Sequence, residues 1–441
     1  LAYQLTLFEF EGVFDSSKYL SDSFPNNSGI YPIPSNFFEW LKKQCLGLEV
    51  GDGIHWLKLR NKQGKEVIQF AGYVGVLRSP SGDEIEILPK TGSVAENRVE
   101  SIIKNRNLLL NMLRSLPDFR HFKSTEAELK TLKFTLLEIF IKQFLMSVET
   151  ILQRGIRRDY LTLKENVYAL KGKLLIAEHI KQNAIRPDRF FTEHDEYSPN
   201  RAENRLIATA LRKVLSYSST PSNLKLAREL AFIFFDIPDT KDVVQDFQRV
   251  RIDRGMNYYE SALDWARLIL SGQSPLTGLG KTSSISLLFP MSAVFESYVA
   301  KNLSRNLKHG WQLKTQSTKN YLVTHVNKNW FQLKPDMLIS HNRDARYVLD
   351  TKWKLLDTAN SADKFGLSQS DFYQLYVYGQ YYLKGEGSLI LIYPMTERFT
   401  KPLEEFIFKD GKSNLKLYVV PYDLENNNIV ATNIFDEPLL K

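Results

Sequence analysis

The chain has 441 residues, 43% of them hydrophobic, 24% charged and 12% aromatic, enough for roughly two to four packed domains and too aromatic for extensive disorder. Its one cysteine, Cys45, excludes an intramolecular disulfide and a thiolate zinc site and fits a reducing cytoplasm. The net charge of +8 is compatible with a polyanionic partner.

The start, LAYQLTLFEF, carries neither a basic leader nor a small-residue cleavage site, so it does not read as a secretory signal. Residues 1–95 look β-rich. Tyr3 to Phe10 alternates, Ile54 to Arg60 and Val67 to Leu77 are strand-like, and Val76 to Leu88 predicts a hairpin turning at Ser79 to Asp83. A helix is expected from Ser35 to Cys45. This region shows no catalytic constellation, and a binding or adaptor role is the default.

Residues 96–280 change to helical spacing. One helix is expected from Val99 to Leu113, with Pro117 ending it nearby, and a longer one from Ala127 to Gln153. The apolar run inside the second, Phe134 to Val148, is short and interrupted by Glu138 and Lys142, so no membrane segment is expected. Further helices are expected over Arg201 to Tyr217, Asn223 to Phe235 and Tyr258 to Ser271, making a mainly helical middle domain. Leu170 to Leu174 leads into an extended segment, and Phe190 to Asn204 follows before the next helix, with His194 a loop residue and Ser198-Pro199-Asn200 a helix entry. Gly272, Pro275, Gly278 and Gly280 mark the boundary. They also hold a decoy: TGLGKT at Thr277 to Thr282 ends like a phosphate-binding loop, but Pro275 stands where its first glycine must be, so a linker is the better reading.

Residues 281–441 open with a helix, Met291 to Leu307, whose apolar stripe has Glu296 at its edge. A strand-like stretch, Gln312 to Val326, leads to the most informative segment, LKPDMLISHNRDARYVLDTKWKLL at 333–356. It predicts two strands joined by a polar turn, with Asp336 on the first and Asp350 and Lys352 on one face of the second. Two carboxylates meeting a lysine on one hairpin can hold a hard divalent cation for phosphodiester hydrolysis. The same residues also suit an ordinary strand ion pair. Ser368 to Leu383 predicts a helix with Gln374 and Tyr378 on one face, and Ser388 to Tyr393 and Leu415 to Val420 predict buried strands. This order suits an α/β layered domain. Lys301, Arg305, Lys308, Lys314, Lys319 and Lys328 precede the hairpin with no acid among residues 301–330, and are candidates for holding a DNA backbone. The seven histidines show no metal-ligand spacing, and no G-x-S-x-G elbow occurs.

FPMSAVFESYV, LKPDMLI, YVLDTKWK and the QLYVY helix together resemble the PD-(D/E)xK nuclease superfamily. With VGVLRSPSGDEIEILPK at 74–90, LKGKL at 170–174 and DEYSPNRAENRLIATAL at 195–211, the chain resembles the McrC family, the nuclease subunits of McrBC-type modification-dependent restriction systems. The resemblance implies a mixed α+β, multi-domain chain with a C-terminal α/β nuclease domain. It implies cutting of double-stranded, modified DNA with Mg²⁺, Mn²⁺ being an alternative, under control of an McrB-like AAA+ GTPase ring that docks on the N-terminal part and whose hydrolysis this subunit stimulates. GTP belongs to that partner, and no nucleotide is expected on this chain. A second copy within a larger complex is expected for double-strand cutting. Asp336 and Asp350 then correspond to metal-binding acids, Lys352 to the lysine that orients or activates water, Glu296 to the helix acid, and Gln374 and Tyr378 to a Q-x-x-x-Y element. Two other readings remain open: a non-cutting regulatory or scaffold subunit, and a stand-alone repair or recombination nuclease.

Overall fold

The computed structural model describes residues 2–19, 24, 28–48, 56–92, 97–116, 119, 134–271, 285–342, 344–409, 411 and 413–430. The TGLGKT segment, the Gly/Pro boundary cluster, Pro117 and residues 127–133 of the expected second helix lie outside them. The chain forms two compact units, Leu1–Leu132 with Ser274–Lys441, and Lys133–Gln273.

The first unit begins with β1 (Gln4–Phe8), β2 (Gly12–Asp15), β3 (Ile30–Ile33), α1 (Ser35–Leu48), β4 (Leu57–Lys62), β5 (Lys65–Phe70), β6 (Tyr73–Arg78), β7 (Glu84–Leu88) and α2 (Arg98–Leu113). The expected strand from Val67 to Leu77 is therefore two, broken at Ala71-Gly72, where Gly72 takes a positive φ of 72°. One sheet runs β3-β2-β5-β4, and its core joins Phe37, Phe38 and Leu41 of α1 to Trp56 and Phe70. The β6–β7 hairpin forms as its turn chemistry predicts, with Ser79 Oγ accepting from the Asp83 amide and Asp83 Oδ1 accepting from the Tyr3 amide.

The second unit holds α3 (Leu136–Arg154), β8 (Asp159–Val167), β9 (Lys173–Leu174), α4 (Ile176–Asn183), β10 (Phe190–Ser198), α5 (Ala202–Tyr217), α6 (Pro221–Ile233), α7 (Val243–Arg249) and α8 (Glu260–Ser271). Thr135 caps α3 by accepting from the Glu138 amide. Glu138 itself is buried and accepts from the amides of Ser219 and Thr220 and from Asn223 Nδ2, closing the start of α6. The region is less helical than its sequence suggests. Phe190 to Ser198 is a nine-residue strand in the sheet β8-β10-β9, and His194, expected in a loop, is buried in it with Nε2 3.5 Å from Glu165. Alternation there is hidden by the polar run Thr192 to Glu196, whose partners come from β8, far away in sequence. Gly172 of LKGKL has φ +71°, and a Cβ on it would stand 2.4 Å from the Glu193 carbonyl oxygen, so only glycine lets this loop cross β10.

The first unit then resumes with β11 (Ile285–Pro290), α9 (Met291–Asn306), β12 (Trp311–Thr315), β13 (Asn320–His325), β14 (Lys328–Leu333), β15 (Met337–His341), β16 (Asp344–Thr351), α10 (Gln369–Tyr382), β17 (Glu386–Pro394), β18 (Phe406–Ile407), β19 (Asn414–Asp423) and β20 (Asn428–Ile429). The expected strand from Gln312 to Val326 is also two, β12 and β13. A sheet of order β12-β15-β16-β17-β19-β18, with β20 on β19, carries α10 as the crossover between the parallel pair β16 and β17. Leu375 and Tyr378 of α10 pack with Val348, Leu389, Leu391 and Leu417, while α9 packs on β12 and β16.

The divisions at 95 and 280 differ from the observed units. β11 pairs antiparallel with β6, completing the sheet β1-β7-β6-β11 that the first residues begin. Gly75 permits this pairing, since a Cβ there would lie 2.0 Å from the Leu287 carbonyl oxygen. Residues after 95 also stay with the first unit: α2 packs on α9, and Arg106 of α2 forms a buried ion pair with Glu86 of β7 at 2.6 Å. Helical periodicity locates α2 without saying which sheet buries it. Among the described residues no helix is long and apolar enough to cross a membrane.

Candidate nuclease centre

The β15–β16 hairpin forms, and its register, which alternation alone left open, is now fixed. Met337 faces Leu349, which brings Asp336 alongside Asp350 and Thr351. Asp336 is fixed by two bonds to one Oδ2: the Thr351 amide and the Thr351 hydroxyl each donate to it at 2.7 Å. Its own carbonyl accepts from the Gln316 amide. Asp350 is 2% exposed, and its Oδ2 stands 2.6 Å from Lys352 Nζ. Lys352 lies just beyond β16, yet its amide still donates to the Ile392 carbonyl at 2.9 Å, so the strand direction carries through to it.

A chain of polar contacts holds the lysine. Lys352 Nζ donates to Gln374 Oε1 at 3.2 Å, Gln374 Nε2 donates to the Tyr378 hydroxyl at 3.0 Å, and that hydroxyl donates to the Lys334 carbonyl at 3.0 Å. Gln374 and Tyr378 thus work as an α10 brace linking Lys352 to the residue two before Asp336. Glu296 on α9 borders the same cleft, and its Oε1 accepts from Gln316 Nε2 at 3.1 Å. The cleft has a volume of about 400 Å³ and is lined by Glu296, Asp336, Thr351, Lys352, Asp371 and Gly72 among others.

Electrostatics set the protonation states. Burial, and then the nearby Asp336 charge, push the Asp350 carboxyl up to about 7 against the pull of Lys352. Burial and Asp336 likewise raise Glu296. Burial works against the Lys352 ammonium, but Asp350, Asp371 and Asp336 overcome it and raise its pKa, so the lysine is a cation and not a base. Two neighbouring carboxylates that repel each other, one of them buried, are relieved by a divalent cation, and their hard oxygens suit Mg²⁺ or Mn²⁺. Among the described residues no three His, Cys, Asp or Glu side chains gather closely enough to hold an ion, so Glu296 is not drawn in with the aspartates. The donor set that fits a cation is Asp336 and Asp350, the one or two carboxylates Mg²⁺ commonly takes beside water and phosphate oxygens.

The structure brings together Asp336, Asp350, Lys352, Gln374 and Tyr378, and sets Glu296 on the cleft wall. It separates the six basic candidates. Lys301 and Arg305 share a face of α9 with Arg114 nearby, and Lys301 is partly buried, donating to the Arg114 carbonyl at 2.6 Å. Lys308 follows α9, Lys314 is on β12, Lys319 precedes β13 and Lys328 opens β14. Sequence reasoning missed Thr351, which alternation assigns to the opposite face, and Asp371, whose Oδ1 lies 3.8 Å from Lys352 Nζ and whose Oδ2 accepts from the Tyr393 hydroxyl. Asp371 had a signal: it precedes Gln374 by three positions on one helix.

The sequence profile described as "McrBC 5-methylcytosine restriction system component" matches residues 68–394. The chain belongs to the McrBC family. Its match spans β6 through β17 and so includes the hairpin, the α10 brace and the whole second unit. The fold is similar to that of a chain in the refined half-complex from the tetradecameric assembly of Thermococcus gammatolerans McrB AAA+ hexamers with bound McrC, with a TM-score of 0.65 and 20% identity over 98% of this chain and 97% of that one. A chain of the Thermococcus gammatolerans McrBC complex matches with a TM-score of 0.46 and 20% identity over 69% and 88% of the two chains. Among curated proteins, none matches.

Proposed function

We propose that this McrBC-family chain is the McrC-type subunit that cuts DNA, with the β12-β15-β16-β17-β19-β18 sheet and helices α9 and α10 as its PD-(D/E)xK nuclease domain and the β15–β16 hairpin as its cutting centre. The observation that carries this reading is the meeting of Asp336, Asp350 and a cationic Lys352 on adjoining strands beside an open cleft. A divalent cation on Asp336 and Asp350, Mg²⁺ or Mn²⁺, supplies Lewis acidity to a phosphodiester. The chain's own residues do the rest. Thr351 fixes the Asp336 carboxylate, Gln374 and Tyr378 aim the Lys352 ammonium, and that ammonium stabilises negative charge developing on the phosphate oxygens or positions the attacking water. Glu296 and Asp371 add acceptors at the cleft wall.

The partner in this reading is an AAA+ GTPase ring, whose hydrolysis the subunit stimulates. Residues 1–95 keep their expected docking role in this reading. The β8-β10-β9 sheet with α4 also exposes Tyr160, Tyr168, Leu170, Ile176, Ile180 and Ile185, the last at 92%, and supports an added docking role for the second unit. Modified double-stranded DNA is the substrate, and the cytoplasm the compartment.

Asp350→Ala tests the reading with full chain and partner ring. Mg²⁺-dependent cutting of modified duplex is expected to fall to background while the melting temperature and GTPase stimulation stay. Full cutting by this variant would overturn it. The non-cutting subunit draws on one observation: among the described residues no three carboxylates gather closely enough to hold an ion. It predicts that the wild-type complex leaves DNA intact with either cation.

A further inference from the structure

Between β12 and β15 the chain leaves the main sheet and forms β13–β14, a two-stranded hairpin joined to no other sheet. Its root is anchored. Tyr381 Oη donates to the Leu322 carbonyl at 2.8 Å, Tyr382 Oη donates to the Leu333 carbonyl at 2.8 Å, and Leu333 is buried in the α10 core. Only Lys334 and Pro335 separate that anchor from Asp336. The root of the hairpin is therefore tied to the strand that carries the candidate cutting centre.

Its outer part is built against folding logic. Trp330 is 47% exposed and Phe331 67%, with Val326 also exposed at the tip. Phe331 has φ +55°, and the register passes from Tyr321–Gln332 to Val323–Trp330 around it. A bulky aromatic in the left-handed region strains the backbone, and exposing it forgoes the burial that would offset the strain. The residue is thus presented outward at a cost the isolated chain does not recover. The surroundings choose among occupants: from residue 297 to 335 there is no acid, while Lys319 and Lys328 belong to the hairpin or its approach and Lys334 follows it. Cations around a protruding aromatic pair complement a duplex, phosphates outside and base faces within.

We infer that the β13–β14 hairpin is a DNA wing, in which Phe331 backed by Trp330 wedges between base pairs beside the scissile phosphate and Lys319 and Lys328 flank the backbone. The inference rests on the Asp336 centre acting on DNA. Wedging would kink or unstack the duplex and fix its register over the cleft.

The test measures binding without cutting, so it is separate from the fate of the nuclease reading. Full-length protein in EDTA is titrated into a fluorescein-labelled duplex, and into one carrying 2-aminopurine. Phe331→Gly suits a positive φ, so its melting temperature is expected to be equal or higher. Its affinity should nevertheless fall about tenfold or more, with the 2-aminopurine rise lost and the salt dependence unchanged, because stacking releases no counterions. Lys328→Ala should instead lower the slope of log K against log salt by about one. Unaltered affinity in Phe331→Gly, or failure of the wild-type chain to bind duplex at about 50 mM salt, would overturn the inference. So would a dimer-to-monomer shift by ultracentrifugation with DNA affinity intact, which would make the patch a contact between copies of this chain. Asp350→Ala that still cuts would sink the nuclease reading and leave these binding results as they stand.

Discussion

Each unit buries a cluster of charged and polar side chains, and the two are satisfied to different degrees. In the second unit, SPNRAENR closes on itself. Arg205 grips Asp246 with Nε at 3.0 Å and Nη2 at 2.6 Å, Asn204 donates to the Arg157 and Pro199 carbonyls and accepts from the Tyr259 hydroxyl, and Glu203 accepts from the Arg251 amide. Burial pushes Asp246 up, but the Arg205 bonds outweigh it and hold the carboxyl below its ordinary value. In the first unit, Asp350 faces Lys352 and a second carboxylate, and its pKa goes the other way, to about 7. Asp246 has completed its bonding within the chain, whereas Asp350, crowded by a second carboxylate beside a cleft, leaves room for a charge from outside.

Mutations can break or sharpen that contrast. After Asp350→Ala, the largest effect is expected from Lys352→Met, about 10²- to 10³-fold on cutting, with the melting temperature little changed, read from initial cleavage rates. Asp246→Ala should do the reverse. Arg205, half-buried, would lose both bonds to its carboxylate and keep only those to Asn200, which should cost about 2 kcal/mol in a denaturant titration. Because the Asp246 pKa is depressed, the pair's contribution is present above the ordinary carboxyl value near 3.8 and lost as pH falls through the lower folded value, so the wild-type and mutant curves should converge in acid. Gln374→Ala, which loosens the lysine without touching the acids, should slow cutting about tenfold with DNA binding retained.

The smallest effect concerns the cleft's support. Glu9 of the first unit is buried and its Oε2 accepts from Trp353 Nε1 at 2.7 Å, one residue beyond Lys352. Burial, partly opposed by the Trp353 bond, raises it to about 7 from 4.5. A raised acid favours the fold below its unfolded value, and that contribution is lost as pH rises through about 7. Glu9→Gln should therefore raise the melting temperature by a few degrees at pH 8 and leave it unchanged at pH 4. An equal gain at both would show that Glu9 is not protonated in the fold.

Much of the centre was legible because a hairpin's chemistry is local. Asp336, Asp350 and Lys352 follow from strand alternation and a short turn, and Gln374 and Tyr378 from helical spacing. Thr351 and Gln316 escaped because their roles come from backbone and side-chain bonds between elements, which alternation does not encode. His194 escaped for a related reason, its strand being defined by β8 and not by its own residues.

By itself, the sequence determined the helices α1, α2, α5, α9 and α10, the two hairpins β6–β7 and β15–β16, and the acids and lysine that meet on the second. These rest on periodicity and turn chemistry within a few residues. Only the tertiary structure decided that β11 completes a sheet begun by the first residues, that α2 belongs beside α9, and that the acids are pressed together at the edge of a cleft. Pairing between distant strands and the raising of a carboxyl by its neighbours depend on distances through space, which the order of residues along the chain does not carry.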